Sequence, residues 1–260
     1  MTLPHNAAGD SSKVKNRTTD MKAFFLNRLS STNSYLADQM KAGKLEGECY
    51  VVVDYQDKGR GQCENTWHSR KGYNLLMSVL LFPAFLSASR QFRLSMAASL
   101  AVCSSLNENL DLKIKWPNDI LAGDRKIGGI LIENSIMDKK LSHSIVGLGL
   151  NVNQLDFPDF PRKATSLYLE CGHPFNVKEL AHGYATILDQ YIFRLKAGES
   201  ADIEQEYLDR LYLRDYPSDF ETREGIFRGI IRGVSPLGEL LVEKKGRTET
   251  YSFREIRFLK

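Results

Sequence analysis

Four strings in this chain combine glycines, cations and amides in ways that suit the handling of anions. The first is Gly59-Arg60-Gly61-Gln62. Its glycines let backbone approach a phosphate or carboxylate closely, and Arg60 adds a cation able to bind two oxygens at once. Gln56 precedes it and Trp67 follows, an indole in a polar loop with no core to fill, suited to stacking on a flat base. The second is Lys115-Trp116-Pro117-Asn118-Asp119. It reads either as a buried Trp with an Asn-Asp turn or as a polar pair that meets a nucleotide or positions Mg²⁺. The third runs from Arg125 through Lys126, Gly128 and Gly129 to Glu133. Lys126 stands at a strand entry, where it either reaches a ligand or stays in water. The fourth, Val146-Gly147-Leu148-Gly149-Leu150-Asn151, places glycines inside a strand, which marks close approach by a ligand or another part of the chain.

None of these is a standard nucleotide motif. A dinucleotide fingerprint begun at Gly147 needs a third glycine at position 152, which is Val152. No Walker lysine loop occurs, so any ATP chemistry must use another scaffold. The five histidines show no metal spacing, and the four cysteines (Cys49, Cys63, Cys103, Cys171) form no C-x-x-C pair. They read as free thiols in a reducing compartment.

Composition sets wider bounds. The 260 residues are 42% hydrophobic and 26% charged, as in ordinary globular proteins. A formal net charge of +3 is too small to argue for nucleic-acid binding. The greasiest stretch, Leu75 to Leu86, carries Ser78 and Pro83 and is too short to span a bilayer. Residues 1–20 are polar and lack a signal-peptide core, so they read as a flexible leader and the protein as cytoplasmic. That leader is too short for a helix-turn-helix domain, and DNA binding is not expected.

The positioning elements follow from periodicity. Ser31-Thr32-Asn33-Ser34 ahead of Tyr35, Leu36 and Met40 predicts a helix start. Cys49 to Val53 and Asn74 to Phe82 predict buried strands, and Asp57 to Arg70 a long loop of the kind that is usually functional. Leu94 to Leu106 predicts a helix whose Ala and Ser residues pack closely on a sheet. Leu112, Ile114 and Trp116 alternate with lysines as in a strand, ended by Pro117. A turn over Ala122–Arg125 leads to a strand over Ile127–Glu133, and Ser144 to Val152 is another. Leu180, Tyr184, Leu188, Tyr191 and Leu195 share one helix face, and a second helix is expected over 201–212. Beyond Tyr216-Pro217, short β runs between Gly and Pro turns fit a small barrel.

In order and spacing, these strings resemble the signatures of biotin protein ligases: Ser31-Thr32-Asn33, Gln56 with Gly59-Arg60-Gly61-Gln62 and Trp67, Lys115 to Asp119, Lys126 to Leu131, and Gly147 to Asn151. Thr165-Ser166-Leu167 resembles a weaker, later one. The resemblance implies an α+β fold: a mixed-sheet, class II synthetase-like catalytic domain over 21–212 and a C-terminal SH3-like barrel over 213–260. It implies formation of biotinyl-5′-AMP from biotin and MgATP, then transfer of biotin to a lysine of a biotin carboxyl carrier domain, by a monomer or weak homodimer. Ser31, Thr32, Asn33 and Gln56 would bind the ureido ring, with Gln62 and Gly129 also on the biotin side. Arg60 and Gly61 would meet the carboxylate and phosphate region. Lys126, catalytic together with Arg60, would sit between carboxylate and α-phosphate. Trp67 and Asn151 would border adenine, and Asn118 and Asp119 would order the nucleotide side. The stretch Gln154 to Lys163 resembles the loop that covers the adenylate. One departure is Cys63-Glu64, where many members carry Arg-Gly. Lipoate and octanoate transferases share this fold and are the alternative enzymatic reading; a non-catalytic biotin-binding module is a third.

Overall fold

The computed structural model describes residues 19–62, 65–106, 110–159 and 162–259. Residues 1–18 of the expected leader, and Cys63-Glu64, therefore lie outside the described residues.

Seven strands form the main sheet: β1 (Lys22–Leu26), β2 (Cys49–Val53), β3 (Leu75–Leu81), β4 (Leu112–Lys115), β5 (Asp119–Ala122), β6 (Arg125–Met137) and β7 (Lys140–Leu150), in the order β1-β2-β3-β7-β6-β5-β4. Only β1 and β2 pair in parallel. Every residue of β2 and β3 is buried, because helices cover both faces. In β2, Tyr50 and Val52 join the larger apolar core while Cys49 and Val51 join a smaller one with Leu36. This period-two split is why the run lacks a polar face.

The smaller core lies under α1 (Thr32–Lys41), which packs on β3 and β7. The opposite face carries α2 (Phe92–Ser105), α4 (Val177–Lys196) and α5 (Ser200–Asp209); α3 (Leu167–Cys171) is a single short turn. The Ala97, Ala98 and Ala101 stripe of α2 is buried, but α2 meets α4 and α5 more extensively than the sheet. Small residues allow a close helix crossing as readily as close packing on strands.

A second sheet, entirely antiparallel, contains β8 (Pro217–Thr222), β9 (Gly225–Val234), β10 (Leu240–Lys244), β11 (Arg247–Tyr251) and β12 (Arg257–Phe258), in the order β11-β10-β9-β8-β12. It is joined to the first by a hooked connection: Leu211 bridges to Ile114 of β4, and Arg214 to Ile231 of β9. The buried Phe220, Ile231, Leu240 and Val242 belong to the same apolar core as the helices of the main sheet. Among the described residues, no helix is long and apolar enough to cross a membrane.

Candidate active site

One face of the main sheet is stripped of side chains at its centre. Across β3, β7 and β6, Ser78 lies opposite Gly147 and Gly147 opposite Leu131; one step along, Leu76 faces Gly149 and Gly149 faces Gly129. The glycines make room for two side chains that lie on the sheet. A Cβ at Gly149 would stand 2.5 Å from the Trp67 indole, and one at Gly147 would collide with the Asn33 carboxamide. The close approach read from the fourth string is thus made by the protein's own Trp67 and Asn33.

Above these glycines is a cavity of about 270 Å³. Its lining includes Ser31, Thr32, Asn33, Gln56, Arg60, Gly61, Gln62, Trp67, Asn118, Asp119, Lys126 and Gly129. The sequence places these residues on α1, the 57–70 loop and the β4–β6 ribbon, and the fold brings them to one wall. Asn151 is different. It is buried, its side chain donates to the Thr165 carbonyl at 2.9 Å, and it is not part of the cavity lining. Its amide ties the end of β7 to the segment entering α3.

The α1 end of the cavity is a buried polar network. The Thr32 N–H donates to Gln56 Oε1 at 2.7 Å. Asn33 Nδ2 donates to Glu133 Oε2 at 2.6 Å and to the Leu131 carbonyl at 3.2 Å. The Ser78 hydroxyl lies 2.6 Å from Asn33 Oδ1 and 2.7 Å from Thr32 Oγ1. An amide oxygen can only accept, so the Ser78 proton goes to Asn33. Ser78 and Glu133 were not assigned by sequence reasoning. Ser78 had a signal, a single hydroxyl inside an apolar strand, because buried polar groups need partners.

The opposite end is cationic. Lys126 Nζ lies 2.6 Å from Asp119 Oδ1 and 5.6 Å from the centre of the Trp67 ring. Arg60 stands instead at the edge of the α1 network: it pairs at 2.8 Å with the Glu133 Oε2 that Asn33 also bonds, and both side chains are about two-fifths exposed. Asn118 is clamped to β6: its amide donates to the Ile130 carbonyl at 2.8 Å and its carbonyl accepts from the Ile130 N–H at 3.0 Å. Lys115 of β4 and Phe253, just past β11, also line the cavity. No local pattern announced Phe253, since the second sheet carries it there. Trp116 is both core and anchor: buried as the structural reading proposed, its Nε1 donates to the Gly238 carbonyl of the second sheet at 2.9 Å.

Two buried polar atoms of the wall have no hydrogen-bond partner among the described residues, Gln62 Oε1 and Trp67 Nε1. An acceptor and a donor left unpaired cost free energy until a ligand meets them. The Gln154–Lys163 stretch is tied at both ends: Gln154 accepts from the Arg70 N–H and from Asn74 Nδ2, and the Lys163 carbonyl accepts from the Lys126 N–H. No group of three or more His, Cys, Asp or Glu able to hold a metal occurs among the described residues. Burial pushes the Cys49 and Cys103 thiols up to about 11.

A mixed sheet thus carries a polar, cation-lined cavity on one face, with a small antiparallel sheet at its rim. Residues 25–151 match the biotin/lipoate A/B protein ligase family. It is 37% identical over 149 residues to the bifunctional ligase/repressor BirA of Bacillus subtilis, a match covering 55% of this chain and 45% of that one. It is 28% identical over 239 residues to the biotin–[acetyl-CoA-carboxylase] ligase of Paracoccus denitrificans, covering 88% and 99%. The biotin protein ligase of Aquifex aeolicus, solved with biotin and ATP, superposes with a TM-score of 0.75 at 25% identity over 91% of this chain and 99% of that one. The chain spans about half the length of the first curated relatives it matches, 45% and 46%.

Proposed function

We propose that this chain is a biotin protein ligase. It joins biotin and MgATP into biotinyl-5′-AMP, then passes biotin to a lysine of a biotin carboxyl carrier domain. The observation that carries this reading is the placement of Lys126 in one cavity wall with Gln56, Arg60 and Trp67. A dense amide and hydroxyl network lies at one end of that cavity with Arg60 at its edge, and Lys126 and Lys115 lie around Asp119 at the other.

The network suits the ureido ring, which has both donors and an acceptor and is costly to bury unpaired. Ser31, Thr32, Asn33 and Gln56 bind it, with Gln62 and Gly129 beside it, and Arg60 and Gly61 receive the carboxylate side. Trp67, Asn118 and Asp119 border the nucleotide, with Mg²⁺ arriving on the ATP phosphates. In the first step a carboxylate oxygen of biotin attacks the α-phosphorus, and the bond to the β-phosphate bridging oxygen breaks to release pyrophosphate. In the second, the carrier amine attacks the acyl carbon. The acyl–phosphate C–O bond breaks, AMP leaves with the bonding pair, and the amine sheds its proton to solvent. Lys126 stabilises the charge that gathers between acyl and phosphate groups in both steps.

The lipoate branch of the family is the competing activity. The test is intact-mass measurement of a carrier domain after incubation with the protein, MgATP and biotin, lipoate or octanoate in separate arms. The reading predicts one added biotinyl group and no lipoyl or octanoyl adduct. Acylation by lipoate or octanoate alone, or no modification in any arm, overturns it.

A further inference from the structure

The charges around the cavity do not balance, and the surplus falls on one residue outside the family-like assignments above. Its lining holds three cations, Arg60, Lys115 and Lys126, and one carboxylate, Asp119; Glu133 adds a second carboxylate through its pair with Arg60. Arg60 is neutralised by Glu133 and Lys126 by Asp119. Lys115 is left as the net positive charge.

Its placement is specific. Lys115 and Asp119 face each other across the β4–β5 ribbon. Asp119 Oδ1 contacts Lys126 at 2.6 Å, while Asp119 Oδ2 points to Lys115 Nζ, 3.9 Å away. Lys115 is mostly buried at 19% side-chain exposure, with its ammonium 4.8 Å from the centre of the Phe258 ring of the second sheet. Burial lowers its pKa; Asp119 opposes that, and Arg162 and Lys126 add to the lowering. A lysine held this way gains from a closer carboxylate.

Resting on the ligase reading, we propose that Lys115 is a positioning residue that takes over the Asp119 carboxylate when Lys126 turns to the reacting anions. The physical need is plain. Lys126 cannot present its full charge to a carboxylate and a phosphate while bonded to Asp119. Nor can Asp119, at 18% exposure, be left unpaired beside anionic reactants. Lys115 is the cation that faces its second oxygen. A shift of about 1 Å converts the 3.9 Å approach into a charge-assisted hydrogen bond.

The test uses the transfer step alone. Purified biotinyl-5′-AMP is supplied, so neither ATP nor a metal is needed, and biotin appearing on a carrier domain is timed against a no-enzyme background. Lys115→Met is expected to slow transfer at least tenfold while biotin affinity stays within twofold of wild type. Lys115→Arg, which keeps the charge, should recover most of the rate. The decisive variant is Lys115→Met with Asp119→Asn. If Lys115 acts through Asp119, removing that negative charge frees Lys126 and raises the rate well above that of Lys115→Met alone. A double variant no faster than Lys115→Met overturns the proposal, as does a Lys115→Met enzyme transferring at wild-type rate, or one losing biotin binding and rate in parallel. A wild-type protein without transfer refutes the ligase reading instead.

Discussion

At the scale of single residues, the account turns on cations whose partners are already in place. Lys126 is bonded to Asp119, so its removal leaves one carboxylate without its nearest cation in a half-closed cavity. Lys126→Ala is expected to slow both adenylation and transfer about 100- to 1,000-fold, the usual cost of deleting a preorganised electrostatic group. The fold should survive, because Lys126 is on the sheet's accessible face. Pyrophosphate exchange, carrier biotinylation and a melting curve check the three parts. Arg60 is a different case. Its pair with Glu133 is solvent-exposed and contributes little to stability. Arg60→Ala should leave the melting temperature unchanged and let biotinyl-5′-AMP escape, which chromatography of the reaction supernatant detects. An intermediate that stays fully bound contradicts the assignment. Both residues were singled out by the order and spacing of the strings that carry them, since alone a lysine or arginine in a glycine-bearing turn reads as readily as a solvated charge. Glu133 was not, since an acid at the polar face of a strand looks like surface until Asn33 and Arg60 arrive from distant segments.

At the scale of elements, the glycines of β7 are the device that admits α1 and the 57–70 loop to the sheet. Gly149→Ala places a methyl group against the Trp67 indole. Overpacking of this kind typically costs about 1–3 kcal/mol, so the urea midpoint should fall and the tryptophan emission should change as Trp67 is displaced. A variant with wild-type stability and spectrum would show that the indole does not rest there. The sequence exposed these glycines but not their occupant: a glycine in a strand signals a close neighbour without saying which. Strands β2, β3, β4, β6 and β7 and helices α1, α2, α4 and α5 were legible from period and punctuation, with shifted ends. β5 was not, because Asp119-Ile120-Leu121-Ala122 is too short to show alternation. The β6–β7 hairpin was hidden for another reason. Its turn puts Asp138 and Lys139 at φ 49° and 64° without the glycine that normally marks such a turn.

At the scale of the whole molecule, the two sheets share one apolar core, and the second reaches the cavity through Phe253 and holds Trp116 through Gly238. Unfolding is therefore expected to be a single cooperative transition by calorimetry, and a chain cut after residue 212 should fail to fold because it exposes the surface that Phe220, Ile231 and Leu240 cover. Two resolved transitions would contradict this. A small C-terminal β unit was legible from its turns; its share in the cavity wall was not, because Phe253 is far along the chain from every other lining residue. The central claim is that a single cavity holds biotin and nucleotide with Lys126 between them. Its most direct test is a crystal structure with a non-hydrolysable biotinyl-adenylate analogue. The account predicts the ligand over Gly129, Gly147 and Gly149, with Lys126 Nζ about 3 Å from both the acyl oxygen and the linker that replaces the phosphate. A ligand bound elsewhere, or a Lys126 ammonium out of hydrogen-bond reach of both groups, would contradict it.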